Sequence, residues 1–535
     1  MKLTINKKTL FVLLGYPLFF LLSEIAYRFL FDLPNLGKYL ETYAFFFAFV
    51  LLFYYAKWKI TRFVIFGFFA VSQIFNAVHW QVYQNFINST NYILFFKEIT
   101  EVLHAGTSML NIVIPVFLYA LFETGIFWTI GLFRKKTSVN KPYGDLFFYL
   151  IFIYMFIRSF YSHQEFGLTS NPAYSRIKHN FFTISHLFGK ALPYQLFDLS
   201  DVEKYHLRAP QVVDKPSVKN IVLIMGESLT ATHVNAFGYE RETMPFITSL
   251  SQEKPHTLLK ESYSAGLMTA NSLPAFFNAV PRPNGLEQIM KGNTNLFRLA
   301  EMQGFDTYFY SSQPEREMAI MSIMGKTWIS HQIMPTQLGY DPYQGMHDHQ
   351  LIPLFEKIDL TKGNHFIVLH QRGSHSVYGE YLSDDEKKFK GNTILDNYDS
   401  TIYNTDQFIE KVYHHLEKHS QGDYILIYTS DHGQYVTNTV YNQGTMEESQ
   451  YLVPAFIYSS NKQVLDKIDS LKMCKRLFHQ QLATFIINVM GFDMPISTCQ
   501  KGVINSSVLT GDSGYLEVEM MQKPSLILPQ RATDN

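Results

Sequence analysis

The sequence predicts two unlike parts in one chain: an α-helical membrane domain of five transmembrane helices, then an exported α/β domain. Three observations carry this. Long apolar stretches crowd the first 161 residues, strand-like runs alternate with helical segments from Asn220 onward, and three of those runs end in carboxylates and imidazoles. The expected boundaries are 1–161 for the helices, 162–219 for an interfacial connector and 220–535 for the α/β domain.

At 535 residues the chain is too long for one ordinary core. Lys+Arg 45 against Asp+Glu 46 gives a net charge of -1, so no nucleic-acid partner is expected on electrostatic grounds. Charged residues make up only 17%, against roughly 25% in soluble domains, and that deficit points to lipid.

The five spans are expected at Leu10–Phe31, Thr42–Ala56, Phe63–Val78, Leu110–Phe133 and Leu146–Phe160. Several approach the roughly 20 residues that cross a bilayer core, the second and third being short. Lys2, Lys7 and Lys8 precede the first span; Lys57, Lys59 and Arg62 separate the second and third; Arg134, Lys135, Lys136 and Lys141 separate the fourth and fifth. By the positive-inside rule the N-terminus is cytoplasmic and the chain after Phe160 lies outside. The first apolar run is too long for a cleaved signal peptide, and no small-residue cleavage site follows it. Glu24 and Arg28, at i,i+4 within the first span, suit a structural ion pair or snorkelling of the arginine. In the outer connector Gln81–Met109, Glu98, Glu101 and His104 recur every three residues, as on a solvated helix face.

The connector contains an amphipathic stretch, Phe181–Leu199, and the polar Arg208–Lys219. Beyond it, strand-like runs at Ile221–Met225, Phe366–Leu369 and Tyr424–Tyr428 alternate with helical patterns at Asn295–Gln303, Ile402–His419 and Cys474–Val489. This alternation is that of α/β layers around a largely parallel sheet. Cys474 and Cys499 are the two cysteines; one disulfide and two buried free thiols both remain open. Residues from about Leu526 to Asn535 read as a tail.

In open α/β sheets ligands gather beyond the carboxyl ends of the strands, and Glu227, His375, Asp431 and His432 all follow suitable runs. Two carboxylates and an imidazole suit zinc, with room for a reacting oxygen. Thr269 is the candidate for that oxygen, because metal coordination favours an alkoxide that the free hydroxyl does not form at neutral pH. Ser228 and Thr230, beside Glu227, are competing hydroxyls. Helix capping is the alternative role for Glu227 and Thr269, and a strand-end turn for Asp431-His432-Gly433. His375 is placed for phosphate binding or leaving-group protonation, and His370, nearer the strand, for structure. His347-Asp348-His349 looks like a metal pair, but Asp348 before the helical pattern Leu351–Ile358 reads as a helix start.

Five ordered segments carry a family resemblance: Gly226-Glu227-Ser228, Gly238 to Pro245, Thr269-Ala270-Asn271-Ser272-Leu273-Pro274, His370 to His375, and Ser430-Asp431-His432-Gly433. At these residues, and in its layout, the chain resembles the membrane phosphoethanolamine transferases of the alkaline phosphatase/sulfatase superfamily. The resemblance implies a sulfatase-like, alkaline phosphatase-like periplasmic domain in a multi-pass protein of the bacterial inner membrane. It further implies a zinc site at Glu227, Thr269, Asp431 and His432, with Thr269 the nucleophile that becomes phosphorylated and His375 beside the phosphoryl group. At least one zinc is implied, with manganese as the alternative.

The implied donor is phosphatidylethanolamine, and the acceptor is lipopolysaccharide, at lipid A or a core sugar, or another envelope glycan. Where the family has a histidine before a Gly-Thr pair, this chain has Gln443, so that role is missing or supplied elsewhere. Asn85, in Gln84-Asn85-Phe86, weakly resembles the family's donor segment; with His375 and Gln443 it completes the candidate substrate-binding residues. Two cysteines are fewer than lipid A-modifying relatives usually have, which suggests a more distant branch. The competing expectations are a phosphoglycerol transferase using phosphatidylglycerol, a phosphatase- or sulfatase-type hydrolase, and a catalytically silent assembly protein.

Overall fold

The computed structural model describes residues 7–83, 85–97, 99–133, 142–161, 172–197, 202–254, 256–318, 320–391, 393–444, 447–505, 515–519, 522 and 524–527. The chain divides into two compact units, residues 1–199 with 530–535, and residues 200–529.

The first unit contains long helices at Lys7–Leu30, Tyr39–Tyr55, Lys59–Tyr83, Leu110–Thr129 (continued by a tighter turn to Phe133) and Tyr143–Tyr161. Four are long and apolar enough to cross a membrane, while Tyr39–Tyr55 has 17 residues and is shorter. Lys59–Tyr83 extends past both ends expected from the sequence, because the polar residues of its last turns have buried partners. His79 Nδ1, for example, bonds the Asn85 carbonyl at 2.7 Å. Aromatic packing closes the interior, as in the stack of Phe69 on Phe127 with centroids 4.1 Å apart. The outer connector forms two short helices, Ser89–Lys97 and Ile99–Ser108. Glu98, the side chains of Glu101 and His104, and the basic residues 134–136 and 141 lie outside the described residues.

The Glu24–Arg28 pair is present at 3.1 Å as part of a larger cluster. Arg28 does not snorkel. It is 4% exposed and donates to the carbonyls of Pro34, Pro172 and Tyr174. Arg176, fully buried at the start of the helix Arg176–His186, donates to Glu24 and Glu123 at 3.0 Å each and lies over the Tyr27 ring.

The second unit is built on an eight-stranded sheet. Its spatial order is Leu477–Phe478, Thr257–Tyr263, Leu452–Tyr458, Tyr424–Ser430, Asn220–Gly226, Asn364–His370, Phe305–Ser311, His331–Ile333. Only Leu452–Tyr458 runs against the others. Asn220–Gly226 and Tyr424–Ser430 are buried along their whole length, which explains why they read as unbroken apolar runs instead of alternating ones. One face packs Ile221, Leu223 and Met225 against Phe297, Leu482 and Phe485.

Three expectations shift. The helix expected at Ile402–His419 begins at Ile394, where Thr393 and Asp396 cap each other reciprocally. Cys474–Val489 splits into the edge strand Leu477–Phe478 and the helix His479–Val489, since Leu477 and Phe478 complete the sheet beside Ser262 and Tyr263. Leu526 and Ile527 belong to the strand Ser525–Ile527 of a small antiparallel sheet, because Leu516 and Tyr515 supply a pairing edge; the rest of the expected tail lies outside the described residues. Cys474 and Cys499 are bridged across a sequence separation of 25.

Candidate metal centre

The parallel strands deliver their carboxyl ends to one edge of the sheet, and most of the side chains of the centre directly follow such an end. Glu227 follows Asn220–Gly226, Asp431 and His432 follow Tyr424–Ser430, and Gln313 follows Phe305–Ser311 by two residues. Thr269 opens the nine-residue helix Thr269–Phe277, whose N-terminal end carries partial positive charge that favours an anion. The turn after Asn364–His370 passes close to Glu227. Gly373 has φ +54 there, and a Cβ on it would lie 2.9 Å from the Glu227 nitrogen, so both conformation and space call for glycine.

Glu227, Asp431 and His432 are buried, and one ligand atom from each falls within 4.8 Å of the others. Thr269 Oγ is 3.2 Å from both oxygens of Glu227 and 3.3 Å from His432 Nε2. Ser228 Oγ donates to Glu227 Oε1 at 2.9 Å, and Gln313 Nε2 donates to Glu227 Oε2 at 3.1 Å. Asp431 Oδ1 accepts from the backbone of Ser228 and His432, while Oδ2 is buried without a hydrogen-bond partner among the described residues. His432 Nδ1 donates to the Gly433 carbonyl at 2.8 Å, which turns Nε2 toward Thr269 and the carboxylates.

Two carboxylates with one imidazole leave this buried group short of positive charge. Burial, and then the neighbouring Glu227 charge, push the Asp431 carboxyl up. Burial acts on Glu227 in the same direction, but His432 outweighs it and holds that carboxyl below its usual range. His432 is pushed down by burial and more strongly up by Asp431 and Glu227. A divalent cation answers this imbalance: the donors are two carboxylate oxygens and an imidazole nitrogen, and an orphaned oxygen stands among them.

The other candidates are placed as follows. His375 Nδ1 bonds the Ser376 carbonyl at 2.6 Å, and its Nε2 is 4.0 Å from Glu317. Burial, followed by the Arg372 charge, holds its pKa below the usual value. His370 is fully buried and bonded to Ser311 Oγ at 3.0 Å. The Thr230 hydroxyl is engaged by Thr232 and the Leu452 carbonyl, whereas Ser228 touches Glu227 from the side. Gln443 accepts from Gln434, which in turn accepts from the Tyr378 hydroxyl. Asn85 belongs to the first unit, where its carbonyl meets His79.

Asp348 does open a helix, the short 3-10 turn Asp348–Leu351 that runs into Ile352–Phe355, but its side chain does not cap it. Its carboxylate instead accepts from the backbone of Arg372 and Gly373 and from Ser312 Oγ, because those donors converge there from two strand ends. Gln313 and Arg372 were not singled out from the sequence. The aromatic, β-branched run Phe305–Ser311, taken as a further strand ending at this edge, is the signal that points to Gln313.

Residues 219–491 match the Sulfatase family, just over half of the chain. Among curated proteins the chain is similar to Kdo(2)-lipid A phosphoethanolamine 7''-transferase of Escherichia coli (strain K12), 26% identical over 331 residues, 56% of this chain and 55% of that one. It is also similar to phosphatidylethanolamine transferase Mcr-2 of Escherichia coli, 25% identical over 283 residues, 48% of this chain and 52% of that one. The chain thus spans about half the length of these curated relatives. In fold it is similar to the integral membrane protein lipooligosaccharide phosphoethanolamine transferase A from Neisseria meningitidis, with TM-score 0.55 and 17% identity, covering 89% of this chain and 95% of that one. With the Sulfatase match laid over the sheet and the carboxylate–imidazole centre at its edge, the chain belongs to the Sulfatase family.

Proposed function

We propose that the protein is a membrane-bound phosphoethanolamine transferase, taking phosphoethanolamine from phosphatidylethanolamine and delivering it to lipopolysaccharide, at lipid A or a core sugar, or to another envelope glycan. The observation that carries this is Thr269 Oγ, within 3.3 Å of Glu227 and His432 in a buried cluster short of positive charge. The Escherichia coli relatives, named for phosphoethanolamine transfer to lipid A and for phosphatidylethanolamine, support the classes of donor and acceptor.

In the first step Thr269 Oγ bonds to phosphorus as the bond from phosphorus to the diacylglycerol oxygen breaks. Thr269 gives up its hydroxyl proton, and diacylglycerol leaves as the alcohol after taking one up. In the second step an acceptor oxygen bonds to phosphorus, the bond to Thr269 breaks, and the threonine regains its proton. His375 Nε2, free because Nδ1 donates to the Ser376 carbonyl, exchanges the proton with the leaving and entering oxygens. Glu227, Asp431 and His432 would hold a divalent cation, zinc in this proposal, whose chemistry is to favour the threonine alkoxide and to offset phosphoryl charge. The first turn of the Thr269–Phe277 helix adds its own positive end. The N-terminus is assigned to the cytoplasm and the second unit to the periplasmic side of a bacterial inner membrane, in keeping with Lys57, Lys59 and Arg62 between two helices.

Intact mass analysis of the full chain with donor lipid, together with glycan mass spectrometry, tests this. A phosphoethanolamine adduct on Thr269 is expected. In Thr269→Ala the adduct disappears and transfer falls by roughly 10³-fold or more. Transfer intact in that variant would reject the mechanism, and a phosphoglycerol adduct would replace the donor.

A further inference from the structure

The Gln313 carboxamide lies between two charges. Its Nε2 donates to Glu227 Oε2 at 3.1 Å and to the Gln371 carbonyl at 3.2 Å, and its Oε1 accepts from Arg372 Nη1 at 2.7 Å. Both side chains are almost wholly buried. Arg372 is held from its other side as well: it pairs with Glu317, and its backbone N–H donates to Ser312 and Asp348.

A carboxamide can seat itself two ways. With its oxygen toward Glu227, two acceptors would confront each other in a dry site. A guanidinium carries donors only, so Arg372 takes the oxygen and turns the NH₂ end toward the carboxylate. Besides the Thr269 hydroxyl, which reaches both oxygens, Glu227 is pinned by Ser228 Oγ on Oε1 and by Gln313 on Oε2.

We propose that Arg372, acting through Gln313, is a positioning residue of the metal centre. The pair fixes the plane of the Glu227 carboxylate before a cation arrives, and neither residue touches the reacting atoms. Partners of this kind orient a ligand and tune its hold on the metal. The same guanidinium holds Glu317, whose carboxylate stands 4.0 Å from His375, so one buried cation braces both the metal side and the imidazole side of the site. The inference rests on the proposed role of Glu227 as a metal ligand.

The test uses the full chain in detergent and two readouts, zinc affinity by chelator competition and the rate of adduct formation. Gln313→Met keeps the shape and removes both polar ends; zinc affinity is expected to fall roughly 10–100-fold. Arg372→Met gives a similar loss, and the double variant is no worse than the weaker single variant, because the two act in series. Arg372→Lys, which keeps a donor for Gln313, recovers part of the affinity. Zinc affinity in Gln313→Met within about twofold of wild type overturns the inference, as do losses that multiply in the double variant. Should Arg372→Met fail to fold, Gln313→Met and Arg372→Lys decide. A wild-type chain that binds zinc but forms no phosphoethanolamine adduct overturns the transfer proposal alone, leaving the affinity comparison valid. A wild-type chain that binds no zinc overturns both.

Discussion

Glu24, Glu123, Arg28 and Arg176 in the first unit, and Glu227, Asp431 and His432 in the second, are both buried clusters of ionisable groups, but only the first balances. Its two carboxylates face two guanidinium groups, joined by bonds of 3.0–3.1 Å. In the second, two carboxylates share one imidazole, and Asp431 Oδ2, 3.6 Å from His432 Nε2, has no hydrogen-bond partner among the described residues. Buried charge alone therefore does not mark a functional site. A closed set of opposite charges ties helices together, whereas a set with surplus negative charge is complete only with a further cation.

Removing one carboxylate from the unbalanced set separates the two most strongly. Asp431→Asn is expected to reduce transfer by roughly 10³-fold and to abolish tight zinc binding. In chelator, its thermal unfolding should match or exceed wild type, because an uncompensated anion has gone. A large loss of metal-free stability would break the contrast. Arg176→Met is the opposite case: it strands Glu123, leaves Glu24 with Arg28 alone, and should destabilise the chain by about 3–5 kcal/mol while zinc affinity of the folded protein stays unchanged. Unfolding in detergent measures this, and a melting point equal to wild type would remove the structural role assigned to the cluster.

His479 sharpens the comparison from a third side, as a buried imidazole kept neutral. It accepts from the Ala265 N–H at 3.1 Å, and burial pushes its pKa down to about 3. The unfolded imidazole takes up a proton below about pH 6.5 and the folded one does not, so the stability present above that pH is lost as pH falls toward the folded value. Between pH 7 and pH 5 this costs about 2 kcal/mol, which His479→Gln should remove from the pH dependence of unfolding. An unchanged slope would mean that the ring is not neutral in the fold.

Much of the second unit was legible because a fully buried parallel strand leaves a plain trace. Ile221–Met225, Phe366–Leu369 and Tyr424–Tyr428 are continuous apolar runs, and the polar residues just past them fall at one sheet edge by topology alone. Thr269 was a candidate from its hydroxyl chemistry, but its own neighbours read equally well as a helix start, and only the resemblance set it ahead of Ser228 and Thr230. The partners of Glu24 were not legible. Arg176 lies 152 residues away, and nothing in local periodicity connects them. Arg372 and Gln313 were hidden for the same reason, being 59 residues apart on neighbouring strand ends. Asp348 was legible as a helix start, but the donors that claim its carboxylate come from the two strand ends beside it and leave no local trace.

The Cys474–Cys499 bridge has a consequence for how the protein is made. Cytosolic thiols are kept reduced, so on the proposed periplasmic placement of the second unit this tie would be completed only after export. Closing a ring of this size removes roughly 3 kcal/mol of freedom from the unfolded chain. On that placement translocation precedes maturation, and a copy stalled on the reducing side would lack a covalent fastening around the segment that seats His479.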